Sequence, residues 1–136
     1  TEKSKDNPVF YVQYAYARIN SIFRTSNLNI KNKIKLSKEN FSLNQHELEI
    51  LKKISEWPKC VEISTSRLEP HRIPIYLYEL STLFHSYWNL GKENKEFRFV
   101  LENGNINNSR ATLLQLLAIV IRNGMSILGV STPQKM

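Results

Sequence analysis

Two tyrosines and an arginine could together receive an unstacked nucleotide base. Tyr11, Tyr14 and Arg18 are three and four residues apart, so on a helix they lie within about 60° of one another. Aromatic rings stack on a base, and a guanidinium donates hydrogen bonds to a base edge or a phosphate. The alternative is that both tyrosines belong to an amphipathic core with their hydroxyls at its rim. Spacing alone leaves both interpretations open.

The composition favours an anionic partner. Lys and Arg number 19 against 12 Asp and Glu, which gives a net charge of +7 over 136 residues. This balance is typical of nucleic-acid-binding domains, although many basic domains have basic surfaces for other reasons. Hydrophobic residues make up 41% of the chain, which argues against disorder and favours one folded domain over residues 1–136.

Charged side chains outside the first helix have two possible roles. Four lysines of the first long loop either follow phosphates or are simply solvated: Lys31, Lys33, Lys35 and Lys38. Arg110 and Arg122 either contact nucleic acid or form ion pairs within the chain, and the ion pairs are favoured. Glu47 and Glu49 are expected to be solvated helix charges rather than an acid/base pair.

The sequence lacks the patterns that carry catalysis or metal binding. It has no glycine-rich phosphate loop, no His-Glu-x-x-His and no paired-cysteine spacing. His46, His71 and His85 fall in different predicted elements. Cys60 is the only cysteine, and we expect it to be packed rather than reactive. We therefore expect no catalytic residue, no metal and no cofactor in this chain.

The chain is expected to be cytoplasmic and monomeric. Its longest apolar stretch, 113–121, is interrupted by Gln115 and falls short of the ~20 residues that cross a bilayer. The first residues are polar and do not resemble a signal peptide. A single cysteine excludes an internal disulfide.

Apolar residues recur with the period of an α-helix in five segments. The predicted helices cover residues 8–25, 43–56, 59–67, 74–90 and 109–128. Residues 26–41 and 92–107 lack this period; within the latter, 97–100 could be extended and Asn103-Gly104 favours a turn. Each helix has one apolar stripe, so the predicted fold class is all-α, an antiparallel helix bundle of four to five helices.

Capping residues predict where these helices begin and end. Ser42 and Gln45 have the spacing of a capping box, in which Gln45 returns to the N-cap amide. The other predicted end residues are Asn7 and Asn108 as N-caps, Pro8 at a first helical position, and Gly91 and Gly129 as C-caps.

Three motifs give the chain a resemblance to a known family. They are DNPVFYVQYAYAR at 6–18, FHSYWN at 84–89, and the ending, with Asn123-Gly124, LGVS at 128–131 and PQKM at 133–136. In order and spacing they resemble the C-terminal domain of arginine–tRNA ligases (arginyl-tRNA synthetases). The resemblance covers the chain from end to end, and its first motif is the most specific.

This resemblance implies a fold, a function and a set of RNA-binding residues. The fold is the helical anticodon-binding domain called DALR, and the partner is the anticodon stem-loop of arginine tRNA. The implied RNA-binding positions are Tyr11, Gln13, Tyr14, Arg18 and Met136, with the tail packed beside the first helix, next to Tyr11 and Arg18. A catalytic domain of the same polypeptide would use ATP to attach arginine; its signatures, His-Ile-Gly-His and Lys-Met-Ser-Lys-Ser, are absent here.

The chain departs from the family pattern at several points. Tyr16 stands where many relatives have His, and it lies towards the core stripe. Gln13 points about 160° away from the tyrosine column, so it could instead contact the catalytic domain or cap a neighbouring helix. Asp-Ala-Leu-Arg does not occur. Residues 92–107 are longer and more polar than the family suggests, so no function is carried onto them.

Two other classes of function remain open from sequence alone. The chain could be a helical nucleic-acid-binding module of unrelated origin, which would bind many RNAs equally well. It could also be a protein-interaction module whose basic charge is incidental, which would bind no RNA at moderate salt. A free-standing enzyme is the least favoured alternative.

Overall fold

Five α-helices and one short 3-10 helix form the chain in a computed structural model, which describes residues 7–38 and 41–136. The helices are α1 (Pro8–Thr25), α2 (Gln45–Ser55), α3 (Trp57–Ser66), α4 (Arg72–Glu93) and α5 (Asn108–Ile127), and the 3-10 turn is Lys95–Phe97. The described ranges contain no strand, only an isolated antiparallel bridge between Val100 and Ile106. The all-helical prediction is therefore confirmed. Residues 1–6 lie outside the described residues.

One hydrophobic core joins the helices, and α4 lies at its centre. Within the described part of the chain, α4 contacts α1, α2, α3, α5 and the 3-10 turn. Its Leu80 and Phe84 are completely buried, as are Ile19 of α1 and Ile121 of α5. Burying a side chain of this size stabilises a fold by about 1.5–3 kcal/mol. Because α1 and α4 share this core, the face of α1 beside α4 is held rigidly.

The first helix begins as predicted, and the last begins one residue earlier than predicted. The Asn7 side chain accepts hydrogen bonds from the amides of Val9 at 3.0 Å and Phe10 at 3.4 Å, and Pro8 follows it. At α5, Asn107 rather than Asn108 is the N-cap, since its Oδ1 accepts from the Ser109 amide at 2.8 Å. Neighbouring asparagines are equally suitable caps, so the sequence did not decide between them.

The capping box of α2 lies two residues beyond the predicted one. Asn44 is the N-cap and accepts from the Glu47 amide at 2.9 Å, while Glu47 Oε1 accepts from the Asn44 amide at 2.8 Å. Glu47 is only 2% exposed and pairs with Arg110, 2.7 Å from Oε2 to Nε. The prediction that Glu47 is a solvated charge is wrong, because the cap and the ion pair together satisfy its buried carboxylate.

Gly91 lies inside α4 and does not end it as predicted. The helix continues to Glu93, and a Cβ on Gly91 would lie 3.0 Å from the Phe97 carbonyl oxygen. Glycine is required here because the backbone after the helix folds back against it. Gly129, by contrast, has a φ of +72° and follows the end of α5 as predicted.

Residues 96–98 are fixed by hydrogen bonds from side chains rather than by a sheet. Arg98 Nε donates to the Gly91 carbonyl at 2.9 Å. Arg110 donates to the carbonyls of Arg98 at 2.8 Å and Glu96 at 2.6 Å. The predicted extended run 97–100 is thus reduced to the bridge at Val100.

No helix within 7–38 and 41–136 is both long enough and apolar enough to span a membrane.

Candidate nucleic-acid interface

A groove of about 830 Å³ runs along α1. Its walls are one face of α1, the end of α4, the backbone 97–100 and the last two residues of the chain. This volume is in the range of small-ligand sites and suits one or two nucleotides. We call it the main groove.

The main groove is cationic and aromatic. Five of its lining residues are Lys or Arg, and none of those described is acidic; the five are Arg18, Arg24, Lys92, Arg98 and Lys135. Four more are aromatic: Tyr14 is exposed, Trp88 and Phe97 are half-buried, and Phe99 is buried beneath them. Positive charge attracts a phosphate backbone, and exposed rings stack on bases. The lining therefore has both properties that a single-stranded nucleic acid needs.

Arg18 is held between two aromatic rings at the edge of this groove. Its guanidinium carbon lies 4.5 Å from the centroid of the Tyr14 ring and 5.0 Å from that of Trp88. One of its terminal nitrogens also donates to the Tyr14 hydroxyl. These contacts fix the plane of the guanidinium, which favours directional hydrogen bonds to a ligand.

The three predicted base-binding residues do not all reach the main groove. Tyr14 and Arg18 line it, and Tyr14 is 36% exposed. Tyr11 is half-buried and is not among the lining residues, because its ring packs on Tyr78 and His85 with centroid distances of 5.0 and 4.6 Å. Tyr11 therefore packs behind the groove, against His85, and does not line it.

The chain's last residues are fastened to α1, as the resemblance implied. Gln13 Nε2 donates to the Ser131 carbonyl at 2.9 Å, and Arg24 Nη1 donates to the Gln134 carbonyl at 3.0 Å. Met136 lines the main groove and is 51% exposed. The tail thus lies on α1 and shares the main groove with Arg18, as expected, whereas Tyr11, the other residue expected beside it, does not line that groove. Gln13 holds the tail in place.

His85 supports Arg18 from the core side. It is 7% exposed, and burial, helped by the Arg18 charge, lowers its pKa to about 4. The neutral ring has a partner at each nitrogen: Nε2 lies 3.5 Å from the Tyr11 carbonyl oxygen and Nδ1 lies 3.5 Å from Arg18 Nη1. These partners assign the proton to Nε2, so that Nδ1 accepts from Arg18.

Protonation of His85 is expected to destabilise the fold. The pKa of about 4 in the folded chain lies below the ordinary value of 6.5, so between these values the unfolded chain binds the extra proton. The stability that neutral His85 contributes is complete above pH 6.5 and is lost as pH falls towards 4, on the order of 3 kcal/mol in all. Urea unfolding between pH 4 and 7.5 measures this loss of stability. The control is His85→Gln, whose stability should vary less over this range; an identical pH profile would contradict the prediction.

Several lining residues were missed by sequence reasoning. Trp88 falls inside the FHSYWN motif, but no binding role was predicted for it. Lys135 immediately precedes Met136, whose position in the site was predicted, so the sequence could also have placed Lys135 there. Arg98 and Phe99 come from a segment without periodicity, so no local signal existed for them. Arg98 is placed by hydrogen bonds with Gly91 and Arg110, and Phe99 is buried against aromatic rings of α4.

Packing accounts for Cys60 and Arg110 among the remaining candidates, but not for Arg122. The described ranges contain no group of three or more His, Cys, Asp or Glu that could hold a metal ion. Cys60 is half-buried, and burial raises the pKa of its thiol, consistent with a packed residue. Arg110 forms the predicted ion pair. Arg122 forms none within 7–38 and 41–136, so that part of the prediction is wrong.

A helical domain with a cationic and aromatic groove has the features of an RNA-binding domain. The family described as the DALR anticodon binding domain matches residues 12–136. The chain belongs to this family.

Known relatives and a solved structure agree with this assignment. The chain is 57% identical over 135 residues to an arginine–tRNA ligase of Pelagibacter ubique (strain HTCC1062), covering 99% of the chain and 23% of the relative. It is 43% identical over 143 residues to that of Rhizobium meliloti (strain 1021), covering 100% and 24%. A structure assigned as an arginyl-tRNA synthetase from Campylobacter jejuni superposes with a TM-score of 0.79 at 28% identity, over 99% of this chain and 28% of that one. The chain thus spans about a quarter of the length of the relatives it matches.

Proposed function

We propose that this chain is the anticodon-binding domain, 1–136, of an arginine–tRNA ligase, and that its main groove holds the anticodon loop of arginine tRNA. The whole enzyme would attach arginine to that tRNA at the expense of ATP in a separate catalytic domain. The relatives named arginine–tRNA ligase, each about four times as long as the matched region, support this larger context. The working protein is proposed to be monomeric and cytoplasmic.

The single observation that carries the proposal is the composition of the main groove. Five cationic and four aromatic side chains line one cavity, and none of its described lining residues is acidic. Recognition of RNA in loops relies on splayed bases that stack on aromatic or guanidinium planes. A protein-interaction surface needs no such concentration of positive charge, so the groove favours RNA over the protein-interaction alternative.

The proposed roles follow from where the side chains lie. Tyr14 and Arg18 contact a splayed base, since both line the groove and the guanidinium is oriented by flanking rings. Met136 closes the groove with an apolar side chain. Tyr11 and Gln13 belong to the binding surface through their neighbours: Tyr11 packs on His85, and Gln13 secures the tail.

A filter-binding titration with matched tRNAs tests this function. Arginine tRNA and the same tRNA with an exchanged anticodon have the same phosphates, so any difference in affinity reports contacts to the loop bases. We expect the exchanged tRNA to bind several-fold more weakly at moderate salt. Equal affinity for both would favour the unrelated nucleic-acid-binding module, and no binding would favour the protein-interaction module.

A further inference from the structure

A second cleft lies on the other side of the chain's tail. It has a volume of about 460 Å³ and is formed by α1, the loop at 30–33, α5 and Gln134. Three of its lining residues are cationic, Lys31, Lys33 and Arg122, and none of the described lining residues is acidic. We call it the loop cleft. It shares no lining residue with the main groove.

The three cations of the loop cleft are available to an external anion. All three are exposed, and none forms an ion pair within 7–38 and 41–136. By contrast, Arg110, on the same helix as Arg122, already donates hydrogen bonds to the Glu47 carboxylate and to two backbone carbonyls. Like charges gathered without a carboxylate repel one another, and a bound anion relieves that repulsion.

The loop that carries the two lysines is fastened to α5 at this point. Gln115 Nε2 donates to the carbonyls of Ile30 at 2.8 Å and Asn32 at 2.7 Å. The loop also turns on itself, since the Lys31 amide donates to Asn29 Oδ1 at 2.9 Å. The backbone on both sides of Lys31 is therefore held, and the lysines are presented beside Arg122 at a small entropic cost.

The tail connects the loop cleft to the main groove. Gln134 lines the loop cleft, the next two residues line the main groove, and the Gln134 carbonyl is held by Arg24, which belongs to the main groove. One elongated ligand that crosses the tail could thus occupy both cavities. The exposed Ile119 in the cleft offers an apolar surface to a sugar ring.

From these features we infer that the loop cleft binds a phosphate of the backbone of the same RNA whose loop enters the main groove. This inference rests on the proposed function and deepens it. Lys31, Lys33 and Arg122 make the contact, which sets affinity and register without reading sequence. Phosphate chemistry could also come from a free phosphate ion, and the experiment separates the two sources.

The test measures the salt dependence of tRNA binding by the whole chain and its variants. Lys31→Gln, Lys33→Gln and Arg122→Gln are each compared with Lys52→Gln, an exposed lysine of α2 that lines neither cavity. Each lost phosphate contact should lower the slope of log K against log salt by about 0.7–0.9. The control should leave the slope unchanged. The preference for arginine tRNA over the exchanged anticodon should persist in all variants, because phosphate contacts carry no sequence information.

Each outcome decides one question. Unchanged slopes in all three cleft variants would overturn the inference, while a surviving anticodon preference would leave the proposed function standing. Reduced slopes without any anticodon preference would keep the phosphate site and reject the proposed function. In a second arm, inorganic phosphate is titrated into the chain without RNA while the amide signals of Lys31, Asn32 and Gln115 are followed by NMR. Saturable shifts there, combined with unchanged slopes, would assign the cleft to free phosphate and would also overturn the inference.

Discussion

Replacing Arg110 with methionine is expected to destabilise the chain by about 3–5 kcal/mol. Methionine preserves the aliphatic length but leaves the Glu47 carboxylate, 2% exposed, without its cation. The substitution also removes donors from the carbonyls of Glu96 and Arg98. An uncompensated buried charge is among the most costly single changes a fold can suffer, and a domain of this kind has only about 5–15 kcal/mol to lose.

The midpoint of urea unfolding measures this effect, and the chain supplies a matched control. Arg122→Met makes the same change on the same helix at an exposed arginine without an ion pair among the described residues, and should alter stability by about 0.5 kcal/mol or less. Adding Glu47→Gln to Arg110→Met removes the stranded charge and should recover part of the loss. Equal midpoints for the two methionine variants would show that the buried ion pair contributes nothing.

The helices could be predicted from the sequence because apolar periodicity and capping residues are local signals. The N-terminus of α1 follows from Asn7-Pro8, and the glycine after α5 has the positive φ that its position required. The start of α2 was misplaced by two residues because Ser42 and Asn44 both begin a capping-box pattern. Only the partner on α5, distant in sequence, favours the box that contains Glu47.

The candidate site was only partly predictable, for a geometric reason. Helical spacing gives the angle between side chains, but it does not say which neighbouring helix covers them. Tyr11 and Tyr14 lie on the same face of α1, yet Tyr78 of α4 packs against Tyr11, while Tyr14 remains open to the groove. The opposite wall of the groove contains Arg98, whose side chain is positioned by a hydrogen bond to the Gly91 carbonyl. No sequence periodicity predicts that hydrogen bond.

The same reasoning separates the charged residues that the sequence left undecided. Arg110 and Arg122 share a helix and a residue type, and nothing local distinguishes them. Packing brings Glu47 to Arg110, which forms an ion pair with it. Arg122 instead lines the loop cleft, whose other charged lining residues are both lysines. The structural role of one arginine and the proposed RNA contact of the other therefore follow from tertiary position alone.

Replacing Arg18 with alanine is expected to weaken binding of arginine tRNA by about 1–3 kcal/mol, or roughly 5- to 150-fold. The substitution removes the guanidinium held between Tyr14 and Trp88 and with it a hydrogen-bond donor to the base or phosphate. Tyr14→Ala should weaken binding by a similar amount, since it deletes the exposed ring. Filter binding at one fixed salt concentration measures both.

Two further variants show whether the loss comes from shape or from charge. Arg18→Lys keeps the charge but not the planar fork, so it should recover less than the full affinity and little of the preference for the arginine anticodon. Arg67→Ala removes an exposed arginine at the end of α3, outside both cavities, and should cost only the general electrostatic attraction. If Arg67→Ala and Arg18→Ala weaken binding equally, Arg18 contributes charge alone. The base-receiving role of the groove would then have to be abandoned.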